Sequence, residues 1–249
     1  RNKMAEILSD IPDYCTVAFV QSAQFEPDGR LKFVKALRST AKELKFTQQS
    51  QGMLTDWIVR RFAAAGKSIE LDAAQRLIFI SGDLMSRLIP EIDKIAAYAK
   101  GERVTVKDVD AVASHIPEAV IFEMTELISQ KKYNSAMSVL AELLSDKNNE
   151  PIAMTAMLGL QMRKLYAARL AIDQELGSKY VMEVCAIKYD YIASKLMTAA
   201  RGFTLPQPIR AVELCGEADY RMKSSGQDAR ELLKEAVARI AAGESKCTV

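Results

Sequence analysis

The side chains that could do chemistry in this 249-residue chain are chiefly cations. Lys35, Arg38, Lys42 and Lys45 recur at helical spacing, opposite an apolar stripe of Leu31, Val34, Leu37, Ala41 and Leu44. Such a row can lie along a phosphate backbone, where each contact adds affinity that salt removes. It can also be the solvated face of a helix that covers a sheet, which is the commoner use of the pattern. Farther on, Arg163, Lys164 and Arg169 in "QMRKLYAARL" and Arg221 and Lys223 in "DYRMKS" stand on otherwise apolar helices. Contact with a partner or nucleic acid would account for them, and so would snorkelling at a surface. Lys35, Arg38, Lys42, Arg163, Lys164, Arg221 and Lys223 are therefore the candidate DNA or partner contacts.

Other chemistries find little support. The chain has one histidine, His115, so neither a nucleophile–histidine pair nor a His-ligated metal site is expected. No Gly-x-x-x-x-Gly-Lys-Ser/Thr loop occurs, and no acidic pair closes a buried strand. The cysteines Cys15, Cys185, Cys215 and Cys247 are far apart without a Cys-x-x-Cys pair, so reduced, buried thiols are expected rather than metal ligands or disulfides. No catalytic residue and no cofactor is expected. Trp57, with Ile58 and Phe62 beside it, reads as a core anchor. The tyrosines of "KYDYI", Tyr189 and Tyr191, suit packing or base stacking, with packing favoured.

Composition narrows the class further. With 34 basic against 32 acidic residues, bulk charge does not announce a nucleic-acid binder, and 49% hydrophobic content suits a packed globular chain. The apolar runs are far shorter than the roughly 20 residues needed to span a bilayer. No charged-then-apolar leader is visible, so the cell interior is the expected address. The length allows one large domain or two to three small ones. Because the chain begins at Arg1 and reads as the inside of a fold within twenty residues, a fragment or processed chain is expected.

The elements that would position these residues are mostly helices. "RNKMAEILSDIP" reads as a helix stopping at Pro12, "CTVAFVQ" (15–21) as a buried strand, "DGRLKFVKALRSTAKEL" as a helix and "KFTQQS" as a second short strand. This βαβ pattern suggests the tail of a parallel-sheet domain. From Thr55 onward everything reads as helical. One helix ends at Gly66, "LDAAQRLIFIS" forms the next, and residues 83–100 form a third that bends at Pro90. Its stripe is Leu84, Leu88, Ile92 and Ile95. "VTVKDVDAVASHI" carries a capping box, Thr105 with Asp108, and a staple of Val104 against Val109; Pro117 closes it. Six more helices follow, with "DARELLKEAVARIAAG" as a last one and "GESKCTV" as a frayed tail. The helix opened by Pro151 is apolar on most faces until Gln161, and should lie at the centre of a bundle.

In order and spacing these pieces resemble one family. "VAFVQ", "DGRLKFVKAL", the run from "LTDWIVRRF" to "EIDKIAAYA", "VTVKDVDAVAS", "IFEMTELISQ" through "QMRKLY", "AARGF" and "EADYRMKS" together resemble the delta subunit of bacterial DNA polymerase III clamp loaders. "GDL" with "EIDKIAAYA", and "EP" followed by "QMRKLY", are the most specific parts. The resemblance implies a mainly α chain: residues 1–49 as the end of a sheet-containing AAA+-type α/β domain, 50–116 as a helical lid, and 117–249 as an all-α collar that holds subunits together. It implies a non-catalytic subunit of a hetero-pentamer that helps open the sliding clamp and load it on primed DNA. Other loader subunits, the clamp and primer–template DNA are the implied partners, with clamp contact through an N-terminal region outside these residues. Many relatives have a proline where this chain reads Asp190 in Lys188-Tyr189-Asp190-Tyr191, which leaves that helix start open.

The resemblance gives one short stretch a chemical meaning. In AAA+ ATPases a Gly-x-x-Arg at the start of the third lid helix places a guanidinium over phosphates, whose oxygens it bonds in a fixed fork. Here Gly82-Asp83-Leu84 is followed by Met85, which cannot do this. Arg87 lies two residues on, about 200° around a helix, and points elsewhere. A subunit that does not hydrolyse ATP is expected; the alternatives are an ATP-hydrolysing subunit of the loader or a related helicase, and a free-standing module binding nucleic acid through the 35–45 row.

Overall fold

The computed structural model describes residues 2–243 apart from 9, 23, 24, 26 and 48. The "ESKCTV" end of the expected frayed tail, with Cys247, lies outside these residues. Two compact units divide the chain, Arg1–Gln49 and Ser50–Val249.

In the first unit, α1 (Asn2–Leu8) packs against α2 (Lys32–Thr40), burying Leu8 and Val34. The two expected strands are not formed: residues 15–22 are irregular, with Val17, Phe19 and Val20 exposed, and the described residues of 45–50 also lack strand structure. A strand is stable only when another strand takes up its backbone N–H and C=O groups, and no such neighbour exists among the described residues of this unit. Phe19 instead meets Phe33 edge to face at 5.5 Å. The helix expected to reach Leu44 stops at Thr40, where Ser39 and Thr40 both donate their hydroxyls to the Ala36 carbonyl. Such side-chain bonds compete with helix continuation, and Leu44 is left exposed.

The second unit begins with α3 (Gln51–Ala64), capped by the Ser50 side chain, which accepts from the Met53 N–H. It ends in a Schellman turn: Gly66 adopts φ 72°, Lys67 N–H reaches Phe62 O, and Gly66 N–H reaches Ala63 O. Next come β1 (Ser68–Ile69), α4 (Leu71–Ser81), α5 (Met85–Tyr98), β2 (Arg103–Val104) and α6 (Val106–Val112). The β1–β2 pair is parallel, Ser68 opposite Arg103 and Ile69 opposite Val104, an exception to the expected all-helical run. Gly82, at φ 87°, turns the chain between α4 and α5. The latter runs unbroken through Pro90, and Leu88, Ile92 and Ile95 are buried. Leu84 is not part of that stripe: it is the N-cap and 56% exposed, and Glu91 is buried on the helix instead. Before α6, Asp108 accepts from both the Thr105 backbone (2.8 Å) and its hydroxyl (2.7 Å), while Val104 and Val109 are fully buried as a staple.

Seven further helices complete the unit: α7 (Pro117–Ser129), α8 (Tyr133–Ser145), α9 (Pro151–Asp173), α10 (Ser178–Val184), α11 (Asp190–Ala200), α12 (Pro206–Ser224) and α13 (Ala229–Ala241). Pro117 opens α7 as well as closing the loop before it. The central α9 packs on α7, α10, α11, α12 and α13. Its burial does not stop at Gln161, because Met162, Leu165, Ala168 and Ala171 continue it. Gln161 is itself buried and donates to Thr125 Oγ1 at 3.4 Å. Gly159 lets α9 approach α12, its missing Cβ lying 3.4 Å from Cys215 Cβ. One contiguous apolar core runs from Leu54 to Ile240 and crosses the expected lid–collar line at 116/117.

Candidate functional site

The candidate cations fall into two unlike groups. Lys35 and Arg38 lie on α2 and are exposed, but Lys42 and Lys45 come after its last residue, so the four do not form one helical row. In the second unit, Arg221 is held by Glu235 at 2.9 Å and by Gln227, and Lys223 by Asp219 at 2.8 Å. Arg169 pairs with Asp173. These three are parts of ion pairs rather than a bare cationic patch. Arg163 is exposed on α9 and Lys164 half-buried beside it, and neither has an ion pair among the described residues. Their charges are felt by thiols: burial pushes Cys215 up to about 12 although Arg163 pulls the other way, and burial likewise raises Cys185 against Lys164. A thiol so raised stays protonated and is a poor nucleophile. Cys15, expected to be buried, is exposed.

The position of a phosphate-sensing arginine is Met85, the first residue of α5, which is 37% exposed. Arg87 is exposed one turn into the same helix. His115 sits 3.8 Å from Glu123, a carboxylate already engaged by Arg76, and no nucleophile accompanies it. Trp57 is partly buried against the core with the Arg61 guanidinium 5.8 Å over its ring, while Ile58 and Phe62 are fully buried. Among the described residues no group of three or more His, Cys, Asp or Glu is placed to hold a metal. No described helix is long and apolar enough to cross a membrane.

The feature that sequence reasoning missed is the polar junction between α4–α6 and α7–α11. Arg76 on α4 donates to Asp110 of α6 at 2.7 Å and to Glu123 of α7 at 2.8 Å. Burial lowers its pKa, but the two carboxylates outweigh burial and hold it above its ordinary value. Glu91 on α5 accepts from the Ser114 N–H at 2.9 Å and meets Lys94 at 2.8 Å. Burial favours its neutral form, yet the Lys94 and Ser114 bonds prevail and lower its pKa. Ile116 N–H reaches Ile80 O at 2.7 Å, and the Ser81 hydroxyl reaches Ser114 O at 2.9 Å. Asp83, of the Gly82-Asp83 turn, accepts from the Tyr189 hydroxyl at 3.3 Å. Burial and Asp83 together push Tyr189 up to about 12. Tyr189 is therefore a packing residue and N-cap of α11, and Asp190 opens that helix by accepting from the Ser178 hydroxyl at 2.9 Å. A lone arginine in "LDAAQRLIFIS" was the one sequence signal of this junction.

Comparison with known proteins places this arrangement. Residues 118–240, from α7 through α13, match the profile of the family described as DNA polymerase III delta subunit, C-terminal domain. The chain is 26% identical over 218 residues to DNA polymerase III subunit delta of Bacillus subtilis (strain 168), covering 87% of this chain and 62% of that protein. It is 24% identical over 188 residues to the probable DNA polymerase III subunit delta of Aquifex aeolicus (strain VF5), covering 75% of this chain and 53% of that one. The chain thus spans only about half to six tenths of the length of these relatives. The solved Bacillus subtilis DNA clamp loader delta protein shares the fold, with a TM-score of 0.62 at 24% identity over 97% of this chain and 70% of that one. With its α7–α13 bundle matched by the family profile and its mainly helical fold by a solved relative, the chain belongs to the DNA polymerase III delta-subunit family.

Proposed function

We propose that this chain is part of a non-catalytic clamp-loader subunit that helps open the sliding clamp and load it on primed DNA during replication. The residues described chiefly supply assembly with other loader subunits in a hetero-pentamer. The observation that carries this reading is the profile match over residues 118–240, which coincides with the α7–α13 bundle. In the same reading residues 1–49 belong to an AAA+-type domain, 50–116 form the lid and 117–249 the collar. The clamp is met through an N-terminal region outside these residues. The protein works in the cytoplasm within the DNA polymerase III holoenzyme, a DNA-directed DNA polymerase and nucleotidyltransferase assembly, and is no enzyme by itself.

Met85 supports a subunit without ATP hydrolysis, since a thioether offers phosphate neither charge nor donor. Of the candidate DNA or partner contacts, Arg163 and Lys164 are the better placed, because Arg221 and Lys223 are already neutralised within α12 and α13. The test is reconstitution. Mixed with the other loader subunits, the chain is expected to co-elute with them on size exclusion, to leave the isolated clamp unbound, and to show no ATPase activity alone. Failure to co-elute would remove the assembly role, and ATP turnover would favour the alternative of an ATP-hydrolysing subunit.

A further inference from the structure

An open cleft of about 580 Å³ lies where the first turns of α3, α4 and α11 meet, within the second unit. Its polar walls are rich in acceptors: the carboxylates of Asp56 and Asp190, the amides of Gln51 and Gln75, and the hydroxyl-bearing residues Thr55 and Ser194. No lysine, arginine or histidine lines it. Thr55 is only 6% exposed, and its hydroxyl oxygen is buried without a hydrogen-bond partner. A buried polar atom left unpaired costs about 1–3 kcal/mol. Asp56, one residue on, is exposed and has no ion pair among the described residues. At Gly52 a side chain would meet nothing within 4 Å, so the entrance is unobstructed.

Three helix N-termini at one cleft would by themselves favour an anion. Here, however, each end is already served: Ser50 caps α3, Asp72 takes the Ala73 N–H on α4, and Asp190 stands at the first position of α11. A helix end is worth roughly half a positive charge, against a full negative charge on each lining carboxylate. The balance favours a cation. Tyr191, which lines the cleft, already has the Lys195 ammonium 5.5 Å from its ring, so its ring electrostatics suit cations.

We propose that this cleft is a docking site for an arginine-bearing segment of a partner protein, the guanidinium bonding Asp56 and the Thr55 hydroxyl. Arginine suits the cleft better than lysine because its five planar N–H donors can serve several acceptors at once and its face stacks on an aromatic ring. The volume exceeds one side chain and leaves room for adjoining backbone. This inference does not depend on the clamp-loader reading.

The test is titration of the ¹⁵N-labelled 249-residue chain with N-acetyl-arginine methylamide, its citrulline counterpart and adenosine. The arginine probe is expected to shift the Gln51, Gly52, Thr55 and Ser194 amides saturably. Citrulline, isosteric but uncharged, should bind about tenfold more weakly, as loss of a charged hydrogen bond implies. Asp56→Asn should weaken arginine binding to a similar degree without lowering the thermal midpoint. Thr55→Val should also weaken it while leaving the free protein as stable or more so. Equal response to citrulline, preference for adenosine, or no saturable shift would overturn the proposal. A large stability loss in Thr55→Val would also overturn it, because the hydroxyl would then already have an internal partner.

Discussion

Two seams hold the second unit together, and they are built from opposite materials. Along α9 the contact with α12 is dry: Leu158 and Met162 face Leu214, Cys215 and Ala218 in the buried set, and Gly159 allows close approach. Between α4–α6 and α7–α11 the apolar core is continuous, but it is fastened by Arg76, Glu91 and the Asp83–Tyr189 contact. A dry seam is sensitive to volume and nearly indifferent to pH. A polar junction has the reverse sensitivities, so each can be broken where the other holds.

The largest effect is expected in the dry seam. Leu158→Ala removes a 1%-exposed side chain from the centre of the bundle, and truncations of this kind cost about 2–5 kcal/mol through lost transfer energy and a cavity. Urea unfolding should show a lower midpoint with an unchanged slope, and the loss should be the same at pH 5 and pH 8. Arg76→Met comes next. It leaves Asp110 and Glu123 without their shared cation, but their side chains are 43% and 30% exposed and can reach water. The expected loss is therefore about 1–3 kcal/mol, below that of a fully buried pair. Raised salt should narrow the gap to wild type, as it should not for Leu158→Ala.

How much of this was legible follows from where each signal resides. Pro117, Pro151, Pro206 and the Thr105–Asp108 box mark helix starts by chemistry within one turn, and the structure starts helices at or next to each. The strands expected at 15–21 and 45–50 depended on partners that no local pattern supplies. For the same reason the two-residue β1–β2 ladder was unreadable: its register is imposed by the packing of α3 and α5 around it. Burial of Gln161 was missed because polarity was taken to end the apolar face, whereas Thr125 on another helix satisfies the amide. The junction is the extreme case, with partners 23, 34, 47 and 106 residues apart. Of the candidate cations, spacing located the residues but could not show that acids on α12 and α13 neutralise Arg221 and Lys223.

Glu91→Gln sharpens the comparison through pH. Glu91's carboxyl has its pKa lowered by folding, so its contribution is whole above the unfolded value near 4.5 and is lost as pH falls through the folded value. The amide keeps an acceptor for Ser114 but loses the attraction to Lys94, a cost of about 1 kcal/mol at neutral pH. The difference between wild type and variant should therefore shrink on acidification below pH 4.5, while the Leu158→Ala difference persists. A gap independent of pH would mean that Glu91 acts by shape rather than charge.

The smallest effect belongs to Tyr189→Phe, which deletes only the hydroxyl that spans from α11 to Asp83. At 3.3 Å the bond is long, and its loss should cost at most about 1 kcal/mol near neutrality. Its signature is at alkaline pH. Folding raises the phenol from 10.0 to about 12, so its stabilising contribution is full below 10 and is lost as pH rises toward 12. Wild type should thus lose stability relative to the variant over that interval, converging with it or crossing it. If the two fall in parallel, Tyr189 joins the apolar core through its ring alone, and the junction is fastened by Arg76 and Glu91 without it.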